Sequence, residues 1–231
     1  MIDSSKIEKK LGLKFKNQTL LLQALVHRSY LNEHREFKLD HNERLEFLGD
    51  AVLELVVTEY LYNNFPNPEG ELTNWRASLV NRSSLAETAQ QLDIESFLLM
   101  SRGEKKDTNP KSRQYILANA LEAIIGAIYL DQGILPAKKF IKKLIINKLE
   151  NILSNKLYID AKSAFQEKSQ EKLGVTPAYR VLESSGPDHA KTFRVGVYLD
   201  KKLIAEGLGS SKQEAQTEAA KNALDKKNWN F

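Results

Sequence analysis

Over the first two thirds of the chain, apolar residues recur at the three-to-four-residue spacing of helices with a buried face. Residues 17–26 form a short apolar helix, with Asn17 placed to cap it. Residues 41–63 predict a long, largely buried helix. Two prolines and a glycine within residues 65–70 break it. Residues 72–92 are again helical, with a split near Asn81, and residues 103–109 read as a charged loop. Residues 112–129 predict another buried helix. Pro136 opens an amphipathic helix over residues 137–153, whose Lys138, Lys139, Lys142 and Lys143 read as a solvated face.

After Asn155 the pattern changes. Residues 161–173 are helical and Gly174 stops them. Residues 178–184 read as a strand. Phe193, Val195, Val197 and Leu199 then alternate strictly with polar or small residues, as in a half-buried strand. Asp200, Lys201 and Lys202 turn the chain into a third strand over residues 203–206. A last helix, residues 212–226, carries Ala215, Ala219, Ala220 and Ala223 for close packing on a sheet. The fold class is therefore multidomain: an all-α domain over residues 1–155, then an α+β domain of order α-β-β-β-α over residues 160–228. The linker falls within residues 154–159.

Composition narrows the function classes. The 231 residues are 42% hydrophobic and 28% charged, an ordinary soluble profile. With no cysteine, disulfides, zinc-thiolate sites and thiol catalysis are excluded. The first residues carry no apolar signal core, and the longest apolar stretch, residues 123–130, is too short to span a bilayer. The expected location is the cytoplasm, with no membrane partner. A net charge of +4 and a pI of 9.0 suit a polyanionic partner. Since the part from Asp160 onward holds 12 basic against 10 acidic residues, local placement of charge has to do the work. The chain has no HExxH, no GxxxxGK[ST] and no GxGxxG, so neither zinc-hydrolase chemistry nor a nucleotide cofactor is indicated.

The most informative stretch is residues 41–52, His-Asn-Glu-Arg-Leu-Glu-Phe-Leu-Gly-Asp-Ala-Val. It sets Glu43, Glu46 and Asp50 on one helix face, while Leu45, Phe47, Leu48, Val52, Leu53 and Leu55 make the rest apolar. Partly buried carboxylates without a basic partner are costly unless a cation compensates them. Hard oxygen ligands suit Mg²⁺ or Mn²⁺. A second pair, Asn119 and Glu122, lies at i and i+3 on another apolar helix. Two such helices meeting in a bundle core would build an oxygen-ligand site between them.

The run from Asn42 to Asp50 resembles the signature of bacterial ribonuclease III. Residues 24–30, Ala-Leu-Val-His-Arg-Ser-Tyr, and residues 117–131 are also similar to that family, and the tail is similar to its double-stranded RNA-binding domain. The resemblance implies an endonuclease that cleaves double-stranded RNA with Mg²⁺, leaves 5′-phosphate and 3′-hydroxyl ends, and processes structured RNA such as ribosomal RNA precursors. It implies Asp50 and Glu122 as catalytic residues, and Glu46, Asp50, Asn119 and Glu122 as metal ligands. Glu43 and Glu69 match additional acids near the site. Cutting two strands needs two sites, hence a homodimer with two-fold symmetry. By resemblance Phe47 packs into the partner; from spacing alone an intrachain core position is equally open.

Asn119 departs from the family, which usually has Asp there. The amide keeps an oxygen ligand but removes a negative charge. The enzyme reading is preferred; its alternative is a double-stranded RNA-binding protein with a weakened or inactivated nuclease site. In the tail, duplex RNA is read by shape, through two minor grooves and the phosphates between them. Lys162, Ser163, Gln166 and Glu167 match one minor-groove contact, and Pro187, Asp188 and His189 match the other. Ser211, Lys212 and Gln213 open the last helix at the phosphates, with Gln216 one turn on.

Overall fold

The computed structural model describes residues 4–156, 158, 160–187 and 191–229. The chain divides after Tyr158 into two compact units. The first is helical: α1 Ser4–Leu11, α2 Gln18–Ala24, α3 Arg28–Glu33, α4 Glu43–Asn64, α5 Glu69–Val80, α6 Arg82–Gln91, α7 Arg102–Lys106, α8 Pro110–Gln132, α9 Ile134–Leu144 and α10 Leu149–Ser154.

At its centre α4 crosses α8, burying Leu45, Val52, Leu53, Val56 and Val57 against Leu117, Leu121, Ile124, Ile125 and Ile128. Between Ile116 and Ile128, every residue of α8 is buried except Asn119 and Glu122. A helix apolar on all sides belongs in the middle of a bundle, so any polar residue on it is held at a core boundary. The ends of the helices follow their caps. The Asn17 side chain accepts from the Thr19 amide at 3.0 Å. Asn81 ends α5 and caps α6, accepting from the Ser84 amide at 2.9 Å.

Three sequence expectations change. Residues 103–109 are not simply a loop, because α7 forms there. The Ser101 hydroxyl caps its start at the Glu104 amide, 3.1 Å, and the Arg113 guanidinium donates to the carbonyls of Glu104, Lys105 and Asp107 at its end. An arginine in the first turn of α8 thus supplies the partners that residues 103–109 lack. The break at residues 65–70 is shorter than expected: α5 already starts at Glu69, directly after Pro68. The helix expected over residues 137–153 is two helices joined by a tight turn, with Pro136 inside α9 rather than before it. A continuous helix would turn Ile146 roughly 180° away from Ala137. The turn lets both be buried, with Ile145 and Leu149.

The second unit has the expected order: α11 Ala161–Leu173, β1 Ala178–Ser185, β2 Thr192–Leu199, β3 Lys202–Gly209 and α12 Lys212–Lys227. The strands form one antiparallel sheet in the order β1-β2-β3. Phe165, Val197, Leu199, Ile204, Ala219, Ala220, Ala223 and Leu224 make its core. β3 runs three residues further than the sequence predicts, through Gly207 and Gly209. Both glycines lie against α12, where a Cβ on Gly207 would overlap the backbone of Ala219 and Ala215. Their use is close helix–sheet approach.

Candidate active site

The start of α4 is pinned before its acids begin. Asn42 is buried; its backbone N–H donates to the Val26 carbonyl at 2.9 Å and its side-chain amide to the Ala24 carbonyl at 3.2 Å. Glu43, Glu46 and Asp50 follow at fixed positions on the helix. They meet Asn119 and Glu122 because α4 and α8 touch backbone to backbone. A Cβ on Gly49 would overlap the carbonyl oxygen of Glu122 and stand 2.8 Å from the Gly126 nitrogen; one on Gly126 would overlap the Leu45 carbonyl. The two glycines set the spacing of the acidic face.

Glu46 and Glu122 are partly buried, whereas Glu43 and Asp50 are exposed, so only half of this set has the burial the sequence suggested. Burial raises the Glu46 pKa, the charges of Glu43 and Asp50 raise it further, and a side-chain hydrogen bond from Asn119 opposes them. Glu122 is pushed up to about 8, first by burial and then by the charges of Asp50 and Glu46, with Arg82 pulling the other way. Asn119 thus favours the ionised Glu46, and its amide also offers an oxygen acceptor.

Sequence reasoning missed the cations around these acids. The Arg28 guanidinium lies 3.7 Å from the Glu43 carboxylate, and that of Arg76 lies 3.0 Å from Glu54. Arg82, beside Glu122, lies over the Tyr115 ring with 3.3 Å from its guanidinium carbon to the ring centroid. None of these pairings has a local sequence signal, since each joins different helices. A hollow of about 780 Å³ opens beside Glu43, Glu46 and Asn119, also lined by His27, Ser29 and Tyr115. Burial pushes the His27 pKa down, and its Nδ1 sits 2.8 Å from the Ser29 hydroxyl. Glu69 is not in this group. It lines a separate hollow of about 450 Å³ with Thr58, Tyr62, Leu72 and Arg76.

The donors suit a hard divalent ion in kind: three carboxylates and an amide oxygen. Glu122, raised to about 8 by burial first and then by Asp50 and Glu46, is a site where a cation would favour the ionised carboxylate. Among the described residues no three carboxylate or imidazole side chains stand close enough to close on an ion as they are. Glu46 and Glu122 sit on crossing helices whose backbones touch at Gly49 and Gly126.

Phe47 is not a core residue of its own chain. It is 82% exposed, and Leu55 at 60% and Tyr62 at 78% continue an exposed stripe along α4 with Ala51 and Thr58.

In the second unit Ser211 caps α12 through the Glu214 amide at 3.2 Å, which leaves Lys212 and Gln213 exposed on the first turn. Gln166 and Glu167 are exposed on α11, and Pro187 is exposed after β1. Asp188 and His189 lie outside the described residues. Two expected contact residues are engaged within the domain: Lys162 donates to the Gln216 side-chain oxygen at 2.8 Å and lies 5.4 Å from the Tyr179 ring centroid. Ser163 donates to Asp160 at 2.7 Å.

A helical acidic site followed by this α-β-β-β-α unit defines a nuclease joined to an RNA-binding module. Residues 17–149 match the Ribonuclease-III-like family and residues 161–227 the double-stranded RNA binding motif. The Ribonuclease 3 of Desulforamulus reducens is 45% identical over 96% of this chain and 90% of its own length. That of Nitratiruptor is 46% identical over 94% of this chain and 93% of its own. Among solved structures, the nuclease domain of ribonuclease III from Campylobacter jejuni is 44% identical with a TM-score of 0.54, covering 62% of this chain and 98% of that domain. The chain belongs to the ribonuclease III family, and it is an endoribonuclease for double-stranded RNA. No described helix is long and apolar enough to cross a membrane.

Proposed function

We propose that the chain acts as a homodimer that cuts both strands of duplex RNA with a divalent ion, Mg²⁺ or Mn²⁺ in its place, leaving 5′-phosphate and 3′-hydroxyl ends. Residues 1–155 supply the nuclease and residues 160–228 the RNA-binding domain. The observation that carries the reading is Glu122, a carboxyl raised to about 8 among Asp50 and Glu46 on a helix otherwise buried around it. A carboxyl shifted this far by burial and by facing carboxylates is a mark of functional sites.

Glu46, Asp50, Asn119 and Glu122 would hold the ion. When bound, it would neutralise the scissile phosphate and acidify an attacking water. Asn119 lowers the Glu46 pKa through its side chain, which partly offsets the lost charge. Glu43, exposed at the mouth of the same face and close to Arg28, serves as an additional acid.

The exposed stripe supports the dimer. Phe47 lies near one end of α4 and the hollow beside Tyr62 near the other, with Leu55 midway. Two such helices packed antiparallel about a two-fold axis near Leu55 would seat each Phe47 in the partner's hollow. Glu69 lines that hollow, so the same packing would bring it toward the partner's acidic face. The Campylobacter domain likewise has a region involved in dimer formation.

In the RNA-binding domain, Lys212 and Gln213 at the start of α12 meet phosphates, while Gln166, Glu167 and Pro187 face minor grooves. The biological setting that follows from the family is processing of structured RNA, such as ribosomal RNA precursors, in the cytoplasm. The test is incubation with a duplex RNA in Mg²⁺ and in chelator. Cleavage of both strands with Mg²⁺ and none in chelator is expected; binding without cleavage under every divalent ion would leave only the RNA-binding alternative.

A further inference from the structure

Two arginines approach the acidic face, and one of them, Arg28, is taken up by the Glu43 carboxylate. Arg82 differs. It is exposed at the start of α6, and among the described residues it makes no ion pair within 4 Å. Instead its guanidinium carbon lies over the Tyr115 ring, 3.3 Å from the centroid, close enough for a stacked contact.

Tyr115, Asn119 and Glu122 are at i, i+4 and i+7 on α8, so they share one face, and Tyr115 lines the same hollow as Glu46 and Asn119. The stack therefore holds a cation at the edge of the proposed metal site, on a helix that carries none of its acids. Stacking occupies the face of a guanidinium and leaves its N–H edge free, which is the edge that binds phosphate oxygens in a fork. Side-chain freedom is lost before the ligand arrives rather than on its arrival. There is also an electrostatic need. An RNA strand approaching the exposed carboxylates Glu43 and Asp50 meets like charge, and a fixed cation at the rim offsets it.

We propose that Arg82, held by Tyr115, binds a backbone phosphate of the RNA strand beside the acidic site, with Tyr115 as its positioning residue. The proposal deepens the duplex-RNA nuclease reading and rests on it. Nothing in the local sequence announces the pair, because residues 82 and 115 meet only through the packing of α6 on α8.

The test uses the full chain and duplex RNA in Ca²⁺, with affinity measured over a range of salt. Arg82→Ala is expected to weaken binding about tenfold and to flatten the salt dependence by about one counterion per site engaged. Arg82→Lys keeps the charge and loses the stacked fork, so the salt slope stays while affinity falls several-fold. Tyr115→Phe keeps the stack and should match the parent; Tyr115→Ser should fall toward Arg82→Ala. Mn²⁺ binding to the RNA-free protein gives a second readout, expected to be unchanged or tighter in Arg82→Ala. Thermal denaturation of each variant separates misfolding from lost binding. If Arg82→Ala leaves RNA affinity and salt slope at parent values, Arg82 is only a counter-ion to Glu122 and the proposal fails. A parent protein that binds duplex RNA but never cuts it would instead sink the nuclease reading, and the Arg82 binding data would still stand on their own.

Discussion

Gly49 and Glu122 are in backbone contact: a Cβ on Gly49 would overlap the Glu122 carbonyl oxygen and lie 2.6 Å from its carbon. Both atoms belong to a helix backbone and cannot swing aside. Gly49→Ala should therefore push α4 from α8, costing about 1–3 kcal/mol as overpacking and separating Glu46 and Asp50 from Glu122. Thermal denaturation and Mn²⁺ binding measure the two consequences. A variant with parent stability and parent metal affinity would show that the crossing does not set the site.

Glu122→Gln tests the chemistry and carries a pH signature. Duplex RNA should bind normally in Ca²⁺, and cleavage in Mg²⁺ should fall by at least about a hundredfold. The pKa of Glu122 lies above its ordinary 4.5, at about 8, so the folded metal-free protein binds this proton more tightly than the unfolded chain. Its stability falls as pH rises through that interval. In chelator the variant should be more stable than the parent at pH 8–9, by about 2–4 °C for each kcal/mol relieved, and the gap should shrink towards pH 5. A gap that widens on acidification would contradict the electrostatic account.

Asn119→Asp restores a carboxylate at the cost of the hydrogen bond to Glu46. The Mg²⁺ concentration for half-maximal cleavage should drop, while RNA affinity in Ca²⁺ stays put. In chelator the variant should be less stable than the parent at neutral pH, since one more carboxylate joins Glu46 and Asp50. An unmoved metal requirement places Asn119 outside the ligand set.

Leu55→Glu puts a charge at the centre of the exposed α4 stripe. Sedimentation should change from dimer towards monomer, with loss of two-strand cleavage and an intact helical fold by circular dichroism. A variant that remains a dimer would move the interface elsewhere.

Lys212→Ala removes a cation from the first turn of α12. Binding should weaken to a similar degree for every duplex RNA sequence, with a salt slope smaller by about one. Loss confined to one sequence would mean that Lys212 reads bases rather than phosphates.

The amino-acid sequence by itself determined the elements and the kind of chemistry. Periodicity over residues 41–63 and 112–129 specifies helices so apolar that they must cross in a core, and alternation from Phe193 to Leu199 specifies a half-covered strand. The acids at 43, 46, 50 and 122 stand out because they interrupt that apolar pattern. Tertiary structure alone decided what depends on contacts between distant segments. It formed α7, through Arg113, where the local sequence reads as loop. It ended α9 at Leu144 so that Ile146 is buried. It set Glu69 apart from the other acids, engaged Lys162 with Gln216, and stacked Arg82 on Tyr115. The physical reason is one of range. Helix and strand patterns are written in residues a turn or two apart, whereas the neighbours of a charge are chosen by which helices pack together, and that choice is made by backbone contacts such as Gly49 on Glu122.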